Sequence, residues 1–226
     1  MALLVKICGV NAAGAGDAAV RAGADLVGFV FHEKSPRHLA IEAARSLANH
    51  LRGRVRLVAL VADADDARIA AVVEAVKPDF LQLHGRETPE RAAAIRAHFA
   101  TPLIKAFAIA GAGDFAPVAA FDGIAEMFLF DARAPEGLRP GGHGMAFDWQ
   151  LLKGRRFAKP WLLAGGLAPA NVARAVEASG APGVDVSSGV ESAPGVKDAA
   201  LIADFIAAAR NPIRNDAQNS SGEARA

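Results

Sequence analysis

The chain has 226 residues, 52% of them hydrophobic, with 25 Lys and Arg against 24 Asp and Glu. This near-neutral balance offers no basic surface for nucleic acid or a membrane, and the longest uncharged runs fall short of the ~18 apolar residues a membrane span needs. A single cysteine cannot close an internal disulfide and MALLVKICGV enters a strand pattern with no cleavable leader, so a cytoplasmic protein is expected.

In chain order, apolar runs with β-branched and aromatic content recur at Leu3–Ile7, Leu26–Phe31, Arg56–Ala62, Phe80–Leu83, Leu103–Ala108, Glu126–Phe130, Trp161–Ala164 and Gly183–Val186. Each is read as a strand. Segments with helical periodicity separate them: Asn11–Ala24, Ala40–Leu51, Ala64–Val76, Thr88–Phe99, a short one near Asp114–Phe121, a weak one at Asp148–Gly154, and Pro169–Ser179 with proline at its start. A last helix is expected over Val196–Arg210. Strict alternation predicts parallel strands and right-handed crossovers. Eight such units suit a small (β/α)8 TIM barrel over residues 1–210 better than an open doubly wound sheet. Residues 211–226, NPIRNDAQNSSGEARA, are polar and aperiodic, and a disordered tail is expected there. Two loops, His32–Leu39 and Ala132–Phe147, are longer than connectors need to be. They follow strands, on the side where a barrel keeps its active site.

The seventh and eighth runs each stop in small residues, Gly165-Gly166 and Ser187-Ser188-Gly189. Such turns let backbone N–H groups approach an anion, and two of them side by side at the end of a βα series read as a phosphate cup. Alternation along the strands collects polar residues on the inward face: Lys6 and Cys8, Gln82 and His84, Asp131, and Asp185 with Ser187. Lys105 joins them if Ile104 and Ala106 face the helices. Lys6 and Asp185 lie on strands that become neighbours when the barrel closes, and an interior ion pair is expected for them. His84 ends its strand at the mouth, where a structural hydrogen bond and a substrate contact both fit. The six histidines show no ligand spacing, so no metal site is expected.

The segments KICGV (Lys6–Val10), SPRH (Ser35–His38), LQLHGRE (Leu81–Glu87), FDA (Phe130–Ala132), GGHG…FDW (Gly141–Trp149), LAGGLAPANV (Leu163–Val172) and GVDVSSGVESAPGVKD (Gly183–Asp198) resemble the phosphoribosylanthranilate isomerase family. His143 stands where the family loop usually has threonine. The resemblance implies an Amadori rearrangement in tryptophan biosynthesis, with no cofactor, a small phosphosugar substrate, and a monomer or homodimer. It assigns the general acid to the aspartate matching Asp131 and the general base to the cysteine matching Cys8. Arg37 matches the family arginine that meets the anthranilate carboxylate. The expected substrate-binding set is Arg37, His84, Gly165, Gly166, Asp185, Ser187, Ser188 and Gly189.

The chemistry supports the pairing. The first and sixth strands are not neighbours, so their ends face each other across the mouth. A free thiol with pKa near 8.5 is mostly protonated at neutral pH. Positive potential from backbone amides, and from Lys6 where Asp185 does not fully match it, is expected to lower the Cys8 pKa. Asp131 needs the opposite shift, which burial would supply. Phosphosugar epimerases and related lyases on this fold would share the cup, but not a cysteine opposite an aspartate. A non-catalytic phosphate-binding barrel would need neither group.

Overall fold

The computed structural model describes residues 2–133 and 147–211. Its parallel strands close into a barrel in sequence order: β1 (Leu4–Cys8), β2 (Leu26–Val30), β3 (Arg56–Val61), β4 (Phe80–Leu83), β5 (Leu103–Ile109), β6 (Met127–Ala132), β7 (Trp161–Leu163) and β8 (Gly183–Val186). The seam pairs β1 with β8, Leu4 opposite Gly183 and Lys6 opposite Asp185. The expected (β/α)8 architecture is therefore present. Every predicted strand is there, because fully buried parallel strands read as unbroken apolar runs. The proposed tail beyond residue 211 and most of the second long loop, including His143, lie outside the described residues.

Helices α1 (Ala13–Ala22), α2 (Ile41–Leu51), α3 (Asp66–Val76), α4 (Pro89–Phe99), α5 (Val172–Ser179) and α6 (Ala199–Arg210) cover the outside. Local chemistry sets several of their starts. Asp65 accepts a hydrogen bond from the Arg68 N–H, and Thr88 caps α4 just before Pro89. Among the described residues, no helix is long and apolar enough to cross a membrane.

Three expectations need correction. The helix predicted from Pro169 begins at Val172, because the Asn171 side chain folds back on the preceding turn: Oδ1 accepts from Ala168 N at 2.8 Å and Nδ2 donates to Gly166 O at 2.8 Å. The helix predicted from Val196 begins at Ala199, after a hairpin of β9 (Glu191–Ala193) and β10 (Val196–Lys197). Asp198 ends that hairpin by accepting from the N–H groups of Ala200 and Leu201. The short segments after β5 and β6 form 3-10 turns at Ala112–Phe115, Val118–Phe121 and Trp149–Leu152. Gly111, Gly113 and Pro117 deny that stretch a continuous helix. Phenylalanines cover the sheet there instead: Phe130 lies 4.6 Å from Phe157 and 5.4 Å from Phe115, ring centre to ring centre.

The N-terminal end of the barrel is closed by carboxylates. Asp25 accepts from Val5 N at 2.8 Å, Asp79 from Leu57 N at 2.7 Å, and Glu126 from Leu103 N at 2.8 Å. Each sits just before an even-numbered strand and satisfies the first turn of the preceding odd one. This end has a structural job.

Candidate active site

The lower interior is apolar. Leu26, Val58, Ile104, Leu129 and Leu162 pack there, and Cys8, Val30 and Leu60 group above them at the C-terminal end. Lys6 and Cys8 share the inward face of β1, as alternation requires. The Lys6 ammonium is fully buried and lies 2.8 Å from Asp185 Oδ1. Gly28, opposite Cys8 on β2, makes room for both. A Cβ at Gly28 would sit 3.0 Å from Cys8 Sγ and 3.2 Å from Lys6 Nζ.

Burial alone would lower the Lys6 pKa, but Asp185, helped by Cys8, carries it up to about 12. Lys6 is a fixed cation. For Cys8 burial is the largest influence and pushes the thiol up; Lys6 and Lys197 pull it down, while Asp185 opposes them. The expectation that positive potential leaves a lowered thiol is thereby corrected: in the free protein, desolvation wins. The nearby cations limit the rise.

On the far side, β4 and β6 bring His84 and Asp131 together. His84 Nε2 lies 3.3 Å from Asp131 Oδ2, and Gln82 Nε2 lies 2.8 Å from His84 Nδ1. Asp131 Oδ1 accepts from Ala132 N at 2.8 Å. The carboxyl is pinned from above by Gly165, where a Cβ would meet Ala132 N at 2.5 Å and Asp131 Oδ1 at 3.0 Å. Only glycine allows β7 to end this close to the acid. Gln82 Oε1 is buried and, among the described residues, has no partner.

The two small-residue turns lie side by side. A Cβ on Gly189 would fall 1.9 Å from Leu167 O, so the β8 turn rests directly on the β7 turn through main chain. Ser187 ties this cup to the thiol: its Oγ donates to Cys8 O at 3.2 Å. The two turns that carry Gly165, Gly166, Ser187, Ser188 and Gly189, the residues expected to bind phosphate, thus touch each other, with Gly165 against Asp131 and Ser187 against the Cys8 carbonyl.

Arg37 reaches the same region. Its stem lies against Gly9, the residue after Cys8, where a Cβ would meet Arg37 Cδ at 2.6 Å. Its guanidinium, though, is buried and bound through Nε and Nη2 to Glu191, each at 2.7 Å. Glu191 also accepts from Lys197 Nζ at 2.6 Å and Gly195 N at 3.2 Å. Burial would raise its pKa, but Arg37 and Lys197 hold it below the ordinary carboxylate range. Glu191 thus occupies the Nε/Nη2 edge of the guanidinium, which leaves Nη1 as the nitrogen not bonded to it.

The structure therefore brings Cys8, Arg37, His84, Asp131, Asp185 and both turns to one end of the barrel. Lys105 goes elsewhere. Ile104 and Ala106 face the interior, so Lys105 points into the helix layer and bonds Glu87 Oε2 and Gly85 O, both at 2.8 Å. Glu191 and Lys197 had no assigned role in the sequence reading. Their signal was the Pro194-Gly195 turn between an acid and a base, which folds the two side chains onto each other.

Similarity to known proteins runs along nearly the whole chain. A model of the N-(5'phosphoribosyl)anthranilate (PRA) isomerase family matches residues 5–208. The N-(5'-phosphoribosyl)anthranilate isomerase of Rhodopseudomonas palustris strain BisA53 is 54% identical over 211 residues, covering 93% of this chain and 97% of its own. The phosphoribosyl anthranilate isomerase of Thermotoga maritima superposes with a TM-score of 0.82 at 34% identity, over 92% of this chain and 98% of that one. A phosphoribosyl anthranilate isomerase solved with reduced 1-(o-carboxyphenylamino)-1-deoxyribulose 5-phosphate gives a TM-score of 0.79 at 33% identity, over 92% and 98%. With a family model matching residues 5–208 and a relative 54% identical along nearly its whole length, the chain belongs to the N-(5'-phosphoribosyl)anthranilate isomerase family.

Proposed function

We propose that this chain isomerises N-(5'-phosphoribosyl)anthranilate to 1-(2-carboxyphenylamino)-1-deoxyribulose 5-phosphate, a step of tryptophan biosynthesis, in the cytoplasm and as a monomer or homodimer. The observation that carries the mechanism is a thiol and a carboxyl on non-adjacent strands, both buried at one mouth and joined by the glycine and serine cup.

Asp131 protonates the ribose ring oxygen. The C1'–O bond breaks as the anthranilate nitrogen lone pair forms a C1'=N bond, giving a cationic Schiff base. Cys8 then takes the C2' proton, and the C2'–H electrons form an enolamine while the nitrogen regains its lone pair. Tautomerisation, with loss of the C2' hydroxyl proton and gain of one at C1', gives the ketone. Each such proton transfer is worth about 10²–10⁴-fold.

His84 Nε2 faces Asp131 Oδ2 at 3.3 Å and is itself held at Nδ1 by Gln82, so the imidazole orients the carboxyl that gives the proton. Arg37, steadied by Glu191, offers Nη1 to the anthranilate carboxylate, and the cup receives the phosphate. The test is turnover of the fluorescent aminoaldose by Cys8→Ala and Asp131→Asn. Each should lose most activity while keeping fold and product binding, and wild-type turnover in either removes that residue from the mechanism.

A further inference from the structure

The hairpin that follows β8 buries a second lysine against Ser187, the residue bonded to the Cys8 carbonyl. The Lys197 side chain is completely shielded from solvent. Its ammonium donates to Ser187 O at 2.9 Å, Ser187 Oγ at 3.3 Å and Glu191 Oε1 at 2.6 Å. Ser187 in turn holds the Cys8 carbonyl. Three hydrogen-bonded links thus connect the hairpin to the last residue of β1.

The charges around Cys8 decide what this connection does. Lys6 from β1 is matched by Asp185 from β8. Across the seam, two cations, Arg37 from the loop after β2 and Lys197 from β10, share the single carboxylate of Glu191. That second cluster keeps one positive charge in excess. In a poorly solvated site such an excess acts at longer range than at the surface.

We propose that Lys197 is a positioning residue that makes the Cys8 thiol easier to ionise, by fixing Ser187 against the Cys8 main chain and by supplying the excess positive charge of the Arg37–Glu191–Lys197 cluster. The inference rests on Cys8 acting as the base, but the thiol's ionisation can be followed without catalysis. Lys197 is among the charges that draw the Cys8 pKa down, against the dominant effect of burial. Its own pKa is held below the usual lysine range, because burial outweighs the attraction of Glu191.

Since the chain has one cysteine, iodoacetamide alkylation and thiolate absorbance across a pH series report Cys8 alone. Lys197→Met and Lys197→Gln should alkylate about tenfold more slowly below the thiol pKa, as a one-unit upward shift requires, and the acid limb of turnover should move to higher pH in step. Lys197→Arg, which keeps the charge, should restore most of both. A merely structural brace predicts the reverse sign, since a loosened hairpin would expose the thiol and speed alkylation. Unchanged or faster alkylation in the uncharged variants overturns the proposal, as does failure of both to fold by circular dichroism. Slower alkylation in those variants, together with full turnover by Cys8→Ala, would leave the charge link standing and remove only the base assignment.

Discussion

Two buried lysines, Lys6 on β1 and Lys105 on β5, have the same chemistry and opposite uses. Each ammonium lies 2.8 Å from a shielded carboxylate, Asp185 in one case and Glu87 in the other. Lys6 faces the barrel axis and crowds Cys8 over Gly28. Lys105 faces outward and ties β5 to the loop after β4, where Glu87 also accepts from Asp63 N at 2.9 Å and Gly85 N at 3.1 Å. The ion pair does not define the role. Strand parity does, because one residue's shift along a strand moves a charge from the reaction chamber to the scaffold.

The largest effects should come from the interior. Cys8→Ala and Asp131→Asn should each lower kcat by about 10²–10⁴-fold with little change in thermal midpoint, followed by substrate fluorescence and a melting curve. Next come the lysines themselves. Lys105→Met strands Glu87 and should cost roughly 3–5 kcal/mol of stability in urea, with kcat of the folded enzyme near normal. Lys6→Met should destabilise comparably but also lower kcat and raise the Cys8 thiol pKa, read by alkylation against pH. Equal kinetic losses in the two lysine variants would erase the distinction between the pairs.

The contrast also marks where the sequence was readable. The strand runs and the inward parity of β1, β4, β6 and β8 followed from alternation, because each of those strands ends in polar residues at the mouth. In β5, LIKAFAI is apolar on both faces apart from Lys105, so the one charged residue drew the assignment inward. Its true partner, Glu87, lies in a loop, and alternation carries no information about loops. The adjacency of the two small-residue turns was legible because the strands that end in them, β7 and β8, are neighbours in a closed barrel. The Arg37–Glu191–Lys197 cluster was not, since it joins a loop to a hairpin 154 residues away in sequence.

Smaller effects sharpen the scaffold side. Burial alone would raise the Glu87 pKa, but Lys105 and the backbone N–H groups hold it below the ordinary carboxylate range. Its contribution to stability is therefore present above that range and lost as pH falls through the depressed folded value. Glu87→Gln should flatten this part of the acid denaturation curve relative to wild type. At the opposite end of the barrel, Asp79→Ala leaves the buried Leu57 N–H without its acceptor. That change should cost about 1–2 kcal/mol in urea and leave kcat unchanged.

The central claim is that Cys8 and Asp131 exchange protons with one sugar bound between them. Its most direct measurement is single-turnover conversion of N-(5'-phosphoribosyl)anthranilate by Cys8→Ala, in a preparation shown to bind the reduced product analogue as tightly as wild type. The account predicts tight binding with conversion slowed by at least about a hundredfold. Tight binding with conversion at the wild-type rate would contradict it.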